Sequence, residues 1–65
     1  MSAPKFSLGQ AVVYFPPRGV PAQRGAYQIT AELPLRSGQF EYRIKHQFEE
    51  YDRVAPESDL SVLWN

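Results

Sequence analysis

Apolar and polar residues alternate strictly along Ala26–Leu33. Tyr27, Ile29, Ala31 and Leu33 share one parity, and Gln28, Thr30 and Glu32 the other. Side chains point to opposite faces of a strand with period two, so the segment reads as a half-buried β-strand. Phe40, Tyr42 and Ile44 alternate in the same way with Glu41, Arg43 and Lys45. Between the two runs lies Pro34-Leu35-Arg36-Ser37-Gly38, a turn signal. If Ser37-Gly38 is a two-residue turn rather than part of a wider loop, Leu35 falls opposite Phe40, Leu33 opposite Tyr42 and Ala31 opposite Ile44. On the outer face Glu32 then meets Arg43 and Thr30 meets Lys45, pairings a sheet favours. A slip of one residue would set each buried residue opposite an exposed one. Pro34, with no N–H to donate, falls opposite Glu41 and needs an edge position or a bulge.

The rest of the chain divides around this hairpin. Residues 1–8 read as a loose lead-in, with Phe6 or Leu8 tucked onto the core, and Gly9 marks a turn. Gln10–Phe15 is a first strand, with Val12 and Tyr14 on one face and Val13 and Phe15 on the other. Both faces are apolar, which predicts cover on both sides. Pro16-Pro17 ends it. Residues 16–25 form one long loop with three prolines and two glycines. His46–Tyr51 is a polar reversal. Asp52–Ala55 is a short strand with Val54 inward. Pro56-Glu57-Ser58-Asp59 is a single helical or 3₁₀ turn, since proline and acidic side chains suit a first turn. Leu60–Trp64 is a last strand, with Leu60, Val62 and Trp64 on one parity.

This order predicts an all-β domain over residues 9–65: a small five-stranded, mostly antiparallel barrel of the Src-homology-3-like (SH3-like) kind, with one short helical turn before the last strand. The line Gly9-x-x-Val12, Gly25-x-Tyr27-x-Ile29, Glu41-Tyr42-Arg43-Ile44, Arg53-Val54 and Glu57-Ser58-Asp59-Leu60 resembles a group of short uncharacterised bacterial proteins, mostly alphaproteobacterial. The resemblance spans nearly the whole chain. It implies the SH3-like barrel and carries no activity. The Ala-Leu-Tyr-Asp-Tyr-like run of peptide-binding SH3 domains is missing, and so is a tryptophan beginning the third strand. Recognition of proline-rich peptides does not carry over from the fold.

Sixty-five residues allow one domain, and a chain of this length buries only about 60% of its unfolded surface. With no cysteine, neither a disulfide nor a thiolate zinc site supports it. The core must come from aliphatic residues together with four tyrosines, four phenylalanines and one tryptophan. The lack of cysteine, and of a leader-like apolar run after Met1, predicts a cytoplasmic protein. No segment approaches the roughly 20 apolar residues of a membrane span. Seven basic residues balance seven acidic ones, so there is no global attraction to nucleic acid or anionic lipid.

Candidate chemistry is sparse. His46, the only histidine, reads as a solvent-exposed turn residue without a nucleophile. His46, Glu49, Glu50 and Asp52 form the densest group of possible cation ligands but lack calcium-loop spacing, so no metal or other cofactor is expected. Arg18 and Arg24 lie in the long loop, which lacks phosphate-loop spacing. These features predict a non-catalytic protein-interaction module, with Tyr14, Phe15, Arg18, Arg24 and Tyr51 as its binding residues near the first loop. An alternative is a nucleic-acid-binding barrel, with Arg43, Lys45 and Arg53 on one outer face contacting phosphates. A further alternative is a minor subunit or self-associating structural protein, in which Val13, Phe15 or Trp64 supplies an apolar patch. A monomer is expected over a homodimer.

Overall fold

A computed structural model describes residues 3–63. It contains five strands: β1 (Ala11–Tyr14), β2 (Gly25–Arg36), β3 (Gln39–His46), β4 (Arg53–Pro56) and β5 (Leu60–Val62). A 3₁₀ turn, Glu57–Asp59, joins β4 to β5. All neighbours pair antiparallel in one sheet of order β4-β3-β2-β1-β5. The predicted all-β class and the helical turn are present. The sheet is not closed, because β4 and β5 are its two edges and share no ladder. Three residues of 3₁₀ helix advance only about 6 Å, so the two edges converge at one corner. Among the described residues no helix is long and apolar enough to cross a membrane. The expected role of Trp64 lies outside the described residues.

The hairpin turns at Ser37-Gly38 as expected, with Arg36 opposite Gln39. Both turn residues have positive φ, 51° and 83°, the combination a type I′ turn requires and glycine tolerates best. The pairing beyond it differs from the expected register. β2 carries an extra residue between Leu33 and Arg36, and another at Thr30 between Ile29 and Ala31. Leu33 therefore faces Glu41, Glu32 faces Tyr42 and Ala31 faces Arg43, and the expected Glu32–Arg43 and Thr30–Lys45 pairs do not form. Pro34 accounts for the first irregularity, since it cannot donate to the ladder. The second restores parity: two shifts of one residue bring Ile29 opposite Ile44 and Tyr27 opposite His46. Bulges also bend a strand, which helps the two edges converge.

The core is Phe6, Val12, Tyr14, Tyr27, Ile29, Tyr42, Ile44, Ala55 and Leu60. On β1 Val12 and Tyr14 are buried, whereas on the other face Ala11 is exposed and Val13 half-buried, so cover on that side is partial. Of the two lead-in residues expected on the core, Phe6 and Leu8, it is Phe6 that docks. Phe6 is fully buried, Leu8 is 65% exposed, and the Lys5 and Phe6 amides both donate to the Tyr42 hydroxyl at 2.9 and 3.2 Å. In β4 the inward residue is Ala55, and Val54 is 51% exposed, the reverse of the expected parity. The reason is the partner strand. Buried Tyr42 lies opposite Ala55, and exposed Arg43 opposite Val54. A small residue is needed across from a buried tyrosine. Ala55→Leu is accordingly expected to destabilise by about 1–3 kcal/mol through overpacking. Val54→Thr should stay within about 0.5 kcal/mol. Urea denaturation of both variants checks the assignment.

Candidate functional site

The long loop is built from tight turns. The Val20 amide donates to the Pro17 carbonyl at 3.1 Å, and the Ala22 amide to the Val20 carbonyl at 2.9 Å. Gly19 has φ of 88°, the value position i+2 of a type II turn demands. Prolines at 16, 17 and 21 restrict the rest. The loop returns to the sheet at Gln23, whose carbonyl accepts from the Tyr27 hydroxyl at 2.7 Å, and Ala22 packs against the core.

Opposite this loop stands the β3–β4 connection, organised by His46. The imidazole is only 7% exposed, not the solvent-facing side chain the sequence reading expects. It continues the inward parity of Tyr42 and Ile44, packs edge-on against Tyr27 with centroids 5.0 Å apart, and lies 5.5 Å from Phe48. Its Nδ1 accepts the Phe48 amide at 3.1 Å, while its carbonyl accepts the Glu49 amide at 3.0 Å. The alternation of β3 simply runs one step further than its apolar residues, and that signal was available in the sequence.

Between loop and connection lies an open depression of about 590 Å³, lined by Val20–Arg24 on one side and Glu49, Tyr51 and Arg53 on the other. Arg53 organises its floor. Its Nε and Nη2 donate to the two Glu49 carboxylate oxygens at 3.0 and 2.8 Å. Nη2 also donates to the Tyr51 hydroxyl at 3.0 Å and to the Pro21 carbonyl at 3.4 Å. The guanidinium sits 5.1 Å from the centre of the Tyr51 ring, within cation–π range. Arg53–Glu49 is the one ion pair among the described residues. The forked hydrogen bond to Arg53 holds the Glu49 carboxyl below its ordinary value, and the same bond raises Arg53.

The predicted binding residues separate accordingly. Arg24 and Tyr51 line the depression, and Arg18 stands exposed in the turn at the loop tip. Phe15 is exposed outside it, its amide bonded to the Asp59 carbonyl. Tyr14 is a core residue, edge-on to Tyr27 at 5.1 Å, because it alternates with Val12 on the inner face. No protein family matches this chain, and no curated protein or solved structure does either. The basic trio also divides. Arg43 is exposed and Lys45 half-buried on β3, whereas Arg53 lies opposite buried Ile44 on the other face and is paired with Glu49. The four possible cation ligands are dispersed: His46 and Glu49 are engaged as above, and Asp52 accepts from Thr30 Oγ1 at 2.6 Å. Among the described residues no three such side chains converge. Val20 and Pro21 line the depression and were missed by sequence reasoning, while Glu49, read there as a possible cation ligand, pairs with Arg53 instead. Only the Glu49-x-x-x-Arg53 spacing hinted at that pair, and such spacing predicts contact on a helix, not in a turn.

These pairings set the pH response. Glu49 is lowered by Arg53, and Glu57 is lowered first by the Tyr42 hydroxyl and then by the Lys5 amide. Lowered carboxylates contribute stability that is present above the unfolded value of about 4.3 and lost as pH falls through the folded value. Tyr14, Tyr27 and Tyr42 are raised, chiefly by burial, so their contribution is present below about pH 10 and lost as pH rises above it. Thermal melts should give a plateau between about pH 5 and 9 that falls on both sides. Glu57→Gln should flatten the acid limb.

Proposed function

We propose that this chain is a non-catalytic protein-interaction module, built on an SH3-like frame, whose binding surface is the depression between the first loop and the β3–β4 connection. The carrying observation is Tyr51: 56% exposed, yet held by Arg53 through both its hydroxyl and its ring. An exposed aromatic already fixed in place gives up little entropy on binding, and Tyr and Arg dominate interface hot spots. Arg24 and Pro21 beside it supply a cation and a rigid apolar surface. The one imidazole is committed to a backbone amide, which favours a structural over a catalytic role. The SH3-like frame is supported by the element order and by the approach of β4 to β5 through the 3₁₀ turn. The nucleic-acid alternative is weakened by the loss of Arg53 to Glu49, which leaves Arg43 and Lys45 as its contacts.

The test is capture from host lysate on immobilised protein, wild type against a Tyr51→Ala/Arg24→Ala variant. Specific proteins retained by the wild type and lost from the variant support the reading. Nothing above background, or the same set on both, overturns it.

A further inference from the structure

The charged residues lining the depression are Arg24 on the loop side and Glu49 and Arg53 on the other. They are not equivalent. Both carboxylate oxygens of Glu49 accept from Arg53, and the Glu49 side chain is only 9% exposed. Glu49 is therefore closed to an incoming cation. Arg53 in turn is balanced by Glu49 and spends Nε and Nη2 within the chain. Arg24 is different: it is exposed and makes no ion pair among the described residues. Two cations against one carboxylate leave a surplus of one positive charge in the lining, and Arg24 carries it. Solvent-facing apolar surface stands beside it, from Val20, Pro21 and the ring of Tyr51.

We propose that the partner this surface fits is an acidic segment of another protein, docked by one Asp or Glu carboxylate on Arg24. An apolar residue next to that acid lies against Val20, Pro21 and the Tyr51 ring. This rests on the interaction reading above and adds the chemistry of the partner. The planar guanidinium fork matches a carboxylate and binds it through two parallel hydrogen bonds. A single carboxylate also cancels the surplus charge of the lining. A phosphate group brings about two negative charges, and a nucleic-acid strand carries one at every nucleotide; one free arginine matches neither. The remaining walls are fixed in advance, because Arg53 is tied to Glu49, Tyr51 and the Pro21 carbonyl. On the side of the protein, docking has chiefly Arg24 to order.

Selection from a library of random synthetic peptides with blocked ends, on the immobilised whole chain, tests this. The retained peptides should share an Asp or Glu at one position with an apolar residue beside it. Replacing that acid by its amide should weaken binding to the wild type by about tenfold or more, and so should Arg24→Glu with the acidic peptide. Circular dichroism of Arg24→Glu should match the wild type, since an exposed loop residue contributes little to folding. Retained peptides that depend on Tyr51 but show no preference for an acid sink the carboxylate proposal and keep the interaction reading. Single-stranded DNA that displaces the peptides in an Arg24-dependent way overturns the proposal too. No retained peptide also overturns it; if capture of a lysate protein dependent on Tyr51 and Arg24 fails as well, the interaction reading goes with it.

Discussion

Phe6→Ala is expected to cost about 3–5 kcal/mol, the usual loss for truncating a buried phenylalanine. Domains have about 0.05–0.15 kcal/mol of stability per residue, so at this size the loss takes from about a third to all of it. The variant should show a markedly lowered urea midpoint by circular dichroism. Phe6 is completely buried, lies edge-on to Tyr42 at 5.5 Å, and reaches the core from outside the sheet. Leu8→Ala, two residues along and largely exposed, is the control and should shift stability by no more than about 0.5 kcal/mol. Equal effects at the two positions would mean that the lead-in is not part of the core.

The second large effect belongs to the Tyr42 hydroxyl. It accepts from the amides of Lys5 and Phe6 and donates to Glu57 Oε2, which accepts the Lys5 amide as well, at 2.9 Å. Tyr42→Phe keeps the ring and its packing but strands the buried Phe6 amide, an expected loss of about 1–3 kcal/mol. The Lys5 and Phe6 amides should then exchange with solvent much faster than in the wild type, while those of β2 and β3 stay ordered relative to them. Glu57→Gln retains an acceptor for the Lys5 amide and should cost less. In a double-mutant cycle the Tyr42 and Glu57 effects should be non-additive, because both substitutions release the same segment. Additive losses with unchanged Lys5 and Phe6 exchange would sink this account.

The same two residues show how far local pattern reaches. Tyr42 was legible as a core residue because it sits in a clean alternation with Phe40 and Ile44. Nothing in that alternation says that its hydroxyl would hold a segment 36 positions away. His46 shows a partial case: parity placed it inward, but its polarity argued for solvent, and only the Phe48 amide at Nδ1 explains how a polar ring is satisfied there. Val54 and Ala55 show a failure. In a four-residue strand, apolar character alone favours Val54 inward, and the opposing Tyr42 decides otherwise.

The candidate site was legible only in outline. Residues such as Tyr51 and Arg24 could be singled out by type and by their place in or near a proline-rich loop. Charge along a chain does not reveal which face of a sheet a residue takes, so from sequence Arg53 reads as one patch with Arg43 and Lys45. The β4 register sends it to the other face, where Glu49 meets it.

Sequence by itself determined the all-β class, the strands and their order, the two-residue turn at Ser37-Gly38, the 3₁₀ turn before the last strand and most of the core. These follow from period-two alternation and from the backbone limits of proline and glycine, which act within a few residues. Tertiary structure alone decided the two shifts in β2, the unclosed edges, the choice of Phe6 over Leu8 for the core and the Arg53–Glu49–Tyr51 network. Each depends on which distant segment lies opposite, and a hydrogen bond or a packed ring between such segments leaves no periodic trace in the chain.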